Sequence, residues 1–479
     1  MLFAEAQFVD RDEELKFLRR AFARKGAELL ILYGRRRVGK TALLQHFAAR
    51  SSLRVLYHVA AQITVREELS RFSRRLASFF QDSLPELQPF TSWEALLEYL
   101  GLKARQKAFG ILLDEFSYAV EGDRSLPSHL QSAWDNSLAR TGMKMVLCGS
   151  SISMMENVGL LPSSPLYGRR TGQWKLEPLS PEAVALLWSA KNLAEAIEAY
   201  GIVGGSPLYI TRFERRRGLL ENVRDQVLTK GAMLYDEVPF LLREEVRDAR
   251  VYQSILSALA SGARKFSELS SKTGLDRAHL TRYLATLNDI DLVDREVPVT
   301  EIHPGKSRKG LYGIKDPFVA FWYRYVHPNR DRLEGGEAQA ILDEVVKPTL
   351  DAYLSTRIES IVGLLFRTRW KRFVPFTPAH AGRHWSEQEK LDWVILDASR
   401  RKALVVEVKW SAKKVNGRLV MRDLREKAGK VQALRGCSLS FVVVTRSGFA
   451  DSPPSRGDER FIDLKKEKPR QGASERSKR

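Results

Sequence analysis

Three groups of residues in this chain have the types and spacing of reactive sites. The first is Gly34, Arg35, Arg36, Arg37, Val38, Gly39, Lys40 and Thr41, which fits G-x-x-x-x-G-K-[ST] at every fixed position. Glycines at its two ends let the backbone curl until several N–H groups converge on phosphate oxygens. Lys40 can reach the β- and γ-phosphates of a nucleoside triphosphate, and Thr41 offers a hydroxyl to Mg2+. The second group is Asp114-Glu115, which closes the apolar run Ile111-Leu112-Leu113. Asp114 would hold the magnesium shell through water, and Glu115 would polarise an attacking water. The third is Asp392, followed by Glu407-Val408-Lys409, with Glu359 upstream. Strand residues two apart share a face, so Glu407 and Lys409 point the same way. With Asp392 on a neighbouring strand they predict a site for a divalent cation, beside a lysine able to orient water.

These groups need elements to position them. Leu29 to Tyr33 reads as a strand, and the helix opening near Lys40 aims its positive dipole end at the same phosphate. Further strands are expected at Leu53–Val59, Phe109–Leu113 and Lys144–Cys148, the last ending in Gly149-Ser150. Upstream, Phe8 to Leu15 leads into an amphipathic helix with Leu15, Leu18, Ala21 and Phe22 on one face.

Further along, three short helices are expected between Val251 and Leu287, the second closed by Gly274 and the third capped by Asp276. Two short strands follow, separated by the basic turn His303–Lys309. That order predicts a winged helix-turn-helix. Arg277, His279, Thr281 and Arg282 would face a DNA groove, and Lys306, Arg308 and Lys309 would face phosphates. The same three helices could instead dock against the ATPase core.

Composition narrows the class. The chain has 479 residues, 44% hydrophobic and 28% charged, as in globular proteins. Such a length predicts about two to four domains. Cys148 and Cys437 are its two cysteines, too few for a disulfide framework or a cysteine zinc site. No apolar run reaches the roughly 20 residues of a membrane span, and the N-terminus has no secretory pattern. Together these predict a cytoplasmic protein with no membrane partner. The net charge of +20 favours a polyanion, DNA first, although high arginine usage alone also produces it.

With these motifs in view, residues 8 to 450 resemble a family of archaeal and bacterial P-loop ATPases of the AAA+/STAND kind. Its members join the ATPase core to a winged helix and a C-terminal PD-(D/E)xK nuclease-like domain. The resemblance is carried by Gly34–Thr41, Leu113–Glu115, the aromatic run Asp316–Val326 and Glu407–Trp410. It implies an α/β fold: a P-loop NTPase parallel sheet, a helical lid, a winged helix and a C-terminal α/β restriction-endonuclease-like domain.

The domains expected are 1–180 for the ATPase core, 181–248 for the lid and 249–315 for the winged helix. An aromatic helix and linker at 316–336, the nuclease-like domain at 337–450 and a disordered basic tail at 451–479 complete the chain. The resemblance further implies that the backbone near Phe8 and Val9 lines the adenine pocket, that Ser150 senses the γ-phosphate and that Arg169 is an arginine finger, in cis or from a second copy in a homo-oligomer. A solvated arginine pair and a plain Gly-Ser turn are the competing readings of Arg169 and Ser150. Gly201–Pro207 is either a nucleotide-contacting lid element or a helix-breaking connection. ATP and Mg2+ are the implied cofactors, with a second divalent cation at Asp392 and Glu407. Lys409 would assist catalysis there and Glu359 would be a supporting ligand. The family often has an acidic residue two positions before the strand aspartate; here that place is Lys390. The implied function is ATP binding and hydrolysis controlling a DNA-binding or DNA-cleaving C-terminal half. The alternatives are a nucleotide-switched DNA-binding regulator and a signalling ATPase with an inactive nuclease fold.

Overall fold

A computed structural model describes residues 8–246, 248–451, 453 and 457–469. They form two compact units, divided between Pro178 and Leu179.

The first unit is built on five parallel strands: β1 (Glu28–Tyr33), β2 (Val55–Val59), β3 (Gly110–Asp114), β4 (Lys144–Gly149) and β5 (Gly172–Lys175). Their order is β2-β3-β4-β1-β5. Both faces of the sheet are covered, which is why β1 and β4 are buried at every residue and read as unbroken apolar runs. Leu29 and Ile31 pack with Leu69, Phe72, Leu96, Leu100 and Leu130 on one side. Leu30 and Leu32 pack with Leu15, Leu18, Leu43, Leu44 and Phe47 on the other. Helix Val65–Phe80 shows how the local sequence sets its ends: Thr64 Oγ1 accepts from Glu67 N at 3.3 Å, and the Glu67 carboxylate accepts from Thr64 N at 3.2 Å.

The second unit opens with helices from Pro181 to Glu245. Gly201, in helix Leu193–Val203, packs so closely on the long helix Lys347–Arg367 that an added Cβ would meet Leu354 at 2.5 Å. Helices Ala249–Ala260, Phe266–Thr273 and Arg277–Asp289 follow, then a two-stranded antiparallel ribbon, β6 (Val293–Glu296) and β7 (Leu311–Ile314). Gly274 ends the second helix at φ 68°, and Asp276 caps the third, accepting from His279 N at 2.9 Å.

A mixed five-stranded sheet, ordered β12-β11-β10-β9-β8, completes the unit. Its strands are β8 (His380–Trp385), β9 (Lys390–Leu396), β10 (Lys402–Lys409), β11 (Ser438–Thr445) and β12 (Glu459–Asp463). β8, β9 and β10 are antiparallel neighbours; β11 lies parallel to β10 across the helix Gly417–Lys430. Leu391, Val394, Ala403, Val405, Leu424 and Val443 form the core under that helix.

Two expectations are corrected here. The linker expected near residues 328–336 is helical: helix Pro317–Phe321, a wider turn over Trp322–Val326 and helix Arg330–Glu334 run on closely, with Leu333 fully buried. Trp322 Nε1 donates to Tyr235 O at 2.7 Å and anchors the run. The tail expected from 451 onward contributes β12, parallel to β11, and Leu193 N donates to Glu467 O at 2.9 Å. The rest of that expected tail, 452, 454–456 and 470–479, lies outside the described residues.

Candidate functional site

The phosphate-loop residues lie between β1 and the helix Lys40–Arg50. Gly34 sits at φ 152°, and a Cβ there would be 2.5 Å from Leu176 O, so only glycine fits beside that backbone. Arg37 and Gly39 take left-handed conformations at φ 67° and 96°, bending the loop back on itself. Lys40, 5% exposed, donates to Gly34 O at 2.8 Å and Arg35 O at 2.9 Å. Arg36 reaches Tyr118 OH at 3.1 Å. The buried Arg11 holds the far side of the loop through Val38 O at 2.7 Å. Phe8 stacks on His46 with ring centroids 3.9 Å apart, which puts the first described residue over the same helix.

β4 lies between β1 and β3, so the ends of three parallel strands meet at one edge. Asp114, fully buried, accepts from Thr41 Oγ1 at 2.7 Å, from Tyr57 OH at 2.7 Å and from Glu115 N at 3.0 Å. A buried carboxylate needs such donors to remain charged. Glu115 has φ 50°, a left-handed conformation that costs about 1–2 kcal/mol for a residue with a Cβ. Its carboxylate accepts from Ser150 Oγ at 2.6 Å. Burial, with Asp114 next to it, pushes the Cys148 thiol up, so it stays neutral beneath this cluster. A hydroxyl and a carboxylate converging from Thr41 and Asp114 are hard oxygen donors, and they fit Mg2+.

Of the expected residues, Gly34–Thr41, Asp114, Glu115 and Ser150 are therefore brought together. Ser150 contacts Glu115 directly. Arg169 instead pairs with Asp135, at 3.2 Å through Nε and 2.9 Å through Nη2, and with carbonyls of its own turn. Tyr57 joins the cluster with no motif to mark it; on β2 it alternates like a packing residue.

In the second unit, Asp392 on β9 and Glu407 and Lys409 on β10 are neighbours: Asp392 Oδ2 accepts from Val408 N at 2.8 Å. Lys409 lies on Glu407 Oε1 at 2.5 Å and Lys427 on the same oxygen at 3.2 Å. Glu359 differs from expectation. Its Oε1 accepts from Lys390 at 2.6 Å and its Oε2 from Arg383 at 3.4 Å, so two cations already satisfy it. Burial, then Asp392, raises the Glu359 pKa to about 7, and burial, then Glu407, raises that of Asp392. Burial works against the Lys409 ammonium, but the Glu407 hydrogen bond and charge outweigh it and raise its pKa. Glu407 Oε2 is buried without a hydrogen-bond partner, as a metal ligand's oxygen would be. Yet Arg383, Lys390, Lys409 and Lys427 outnumber the three carboxylates. Among the described residues no cluster of three or more His, Cys, Asp or Glu suits a metal. As placed, the donor set does not fit a divalent cation, and the role of supporting ligand for Glu359 is corrected.

Arg277, His279, Arg282, Lys306, Arg308 and Lys309 are all exposed on the third helix and the turn between β6 and β7. His279 Nδ1 lies 2.6 Å from Asp276 and Lys309 lies 2.8 Å from Glu301, while Arg282 stacks over Tyr283.

Comparison with known proteins agrees with the first site. Residues 8–213 match a family described as an ATPase domain predominantly from Archaea. Residues 322–420 match a family of archaeal and bacterial proteins of unknown function. An uncharacterized protein of Methanocaldococcus jannaschii is 32% identical over 424 residues, 88% of this chain and 92% of its own length. An uncharacterized ATP-binding protein of the same organism is 45% identical over 53 residues, 11% of this chain and 90% of its own. Among solved structures, the Walker-type ATPase of Pyrococcus abyssi covers 66% of this chain and 96% of its own, with 20% identity and a TM-score of 0.49. No described helix is long and apolar enough to cross a membrane. From its phosphate loop and its match along nearly the whole M. jannaschii protein, the chain belongs to an archaeal-type family of P-loop ATPases.

Proposed function

We propose that this protein hydrolyses ATP at Gly34–Thr41 and that its nucleotide state governs a DNA-binding C-terminal half. The observation that carries the ATPase reading is the convergence of Thr41 on Asp114 and of Ser150 on Glu115, at 2.7 and 2.6 Å. The loop N–H groups and Lys40 would bind the phosphates, Lys40 exchanging its two loop carbonyls for phosphate oxygens. Thr41 and Asp114 would hold Mg2+, which when bound offsets phosphate charge. Glu115 would orient the attacking water and take up its proton, while Ser150 keeps that carboxylate in place. In this reading Arg169 is a surface ion pair, unless a second copy frees it from Asp135.

The DNA reading rests on the net charge of +20 and on exposed Arg277, Arg282, Lys306 and Arg308. Three helices followed by a two-stranded ribbon are the parts of a winged helix. The last sheet brings Asp392, Glu407 and Lys409 together, as a nuclease-like reading requires, but its carboxylates are ion-paired with lysines and an arginine. We therefore read it as a DNA-interacting scaffold. The deciding experiment measures ATP turnover, salt-dependent DNA binding and DNA cleavage with Mg2+ or Mn2+, for the natural protein, Lys40→Ala and Glu407→Ala. ATP turnover lost in Lys40→Ala, with steeply salt-dependent DNA binding and intact DNA, is the expected result. Cleavage abolished by Glu407→Ala would replace this reading with a nuclease, and DNA binding without salt dependence would favour a signalling ATPase.

A further inference from the structure

Asp114 receives two hydroxyl donors on one oxygen, and only one of them belongs to the phosphate-loop motif. Thr41 is the motif residue. The other, Tyr57, lies on β2, the edge strand beside β3, where it pairs with Leu112 while Val59 pairs with Asp114. Its ring packs against the core that contains Leu43, Leu44, Phe47 and Leu112. Thr41, Asp114 and Tyr57 thus form a chain of polar contacts joining two strands to the phosphate-loop helix.

Glu115 N holds Oδ1, but without Tyr57 the Oδ2 of Asp114 would depend on the Thr41 hydroxyl that must also face Mg2+. Tyr57 removes that dependence, because its proton fixes Asp114 Oδ2 from a second side. We infer that Tyr57 is a positioning residue for the Mg2+–nucleotide complex: it orients Asp114 and, through Asp114 and Thr41, ties β2 to the phosphate-loop helix. This rests on the reading of Gly34–Thr41 as the ATP site.

The test is Tyr57→Phe in the full chain, which keeps the ring and removes the hydroxyl. Binding of a fluorescent ATP analogue is measured in EDTA and across a Mg2+ titration, without turnover. A melting curve shows that the variant is folded. The expected result is unchanged affinity in EDTA and a Mg2+ half-saturation raised about tenfold, the usual cost of losing a partner behind a metal ligand. An unchanged Mg2+ half-saturation, or an equal loss with and without Mg2+, overturns the proposal. Lys40→Ala and Asp114→Asn run alongside. If Lys40→Ala binds nucleotide as the natural protein does, the ATP-site reading falls and takes the proposal with it. If Lys40→Ala loses nucleotide, Asp114→Asn loses the Mg2+ response and Tyr57→Phe is unchanged, only the proposal falls.

Discussion

The Ser150 hydroxyl donates to Glu115 Oε2 across 2.6 Å, linking the residue after β4 to the residue after β3. β3 and β4 are neighbours in the sheet, so this bond joins the ends of two adjacent strands. Glu115 already holds a left-handed backbone, so its carboxylate has few ways to relax once that bond is gone. Ser150→Ala is expected to lower kcat roughly 10- to 100-fold through misplacement of the carboxylate, with KM for ATP nearly unchanged. Steady-state kinetics checks the split; a raised KM at constant kcat would point to ground-state nucleotide contact instead.

Glu115→Gln keeps the shape of the side chain and its bond partner but not its basicity. It should bind ATP as tightly as the natural protein while turnover falls about 100-fold or more. Equilibrium binding and single-turnover hydrolysis on one preparation separate the two effects.

Gly34→Ala tests packing and function together. The new Cβ would lie 2.5 Å from Leu176 O, a backbone atom that cannot swing aside. A loss of about 1–3 kcal/mol is expected, together with weaker nucleotide binding as the loop shifts. Urea unfolding followed by fluorescence reads the first, and nucleotide titration the second.

Much of the first site is legible in the sequence because its chemistry is local: eight consecutive residues make the loop, and two carboxylates end an apolar strand. Tyr57 is not, since its hydroxyl matters through residues on β3 and the phosphate-loop helix, and strand alternation alone marks it as core. The Asp392, Glu407 and Lys409 group is legible as adjacency but not as chemistry. Arg383 comes from β8 and Lys427 from the helix beyond β10, and the motif's pattern of residues marks neither. β12 is hidden for another reason. Phe461 and Ile462 are flanked by charged residues, and their strand character comes from pairing with β11.

The proposed DNA binding can be tested separately at the two exposed basic groups. Arg277→Ala with Arg282→Ala removes charge from the third helix, and Lys306→Ala with Arg308→Ala removes it from the turn. For every phosphate left without its cation, the slope of log K against log salt should become shallower by roughly 0.9. Anisotropy titrations at several salt concentrations give the slopes. Unchanged slopes in both double variants would move the DNA surface elsewhere or remove it.

Arg383 offers the clearest energetic test in the second unit. It is 9% exposed, with Glu296 of β6 on one side and Glu359 of the long helix at 3.4 Å on the other. Burial, then Arg264, lowers its pKa to about 10, so it remains charged and must stay paired. Arg383→Met leaves two acidic groups short of a partner. Breaking a buried pair from one side costs about 3–5 kcal/mol, and here the lower end is expected because Lys390 still holds Glu359 and Arg264 still approaches Glu296. Adding Glu359→Gln to Arg383→Met should return part of the loss, since the carboxylate that Arg383 neutralised is then neutral itself. Denaturant unfolding of the two single variants and the double variant closes the cycle. Strict additivity would show that Arg383 and Glu359 do not act as a pair, and that Glu296 alone holds the arginine.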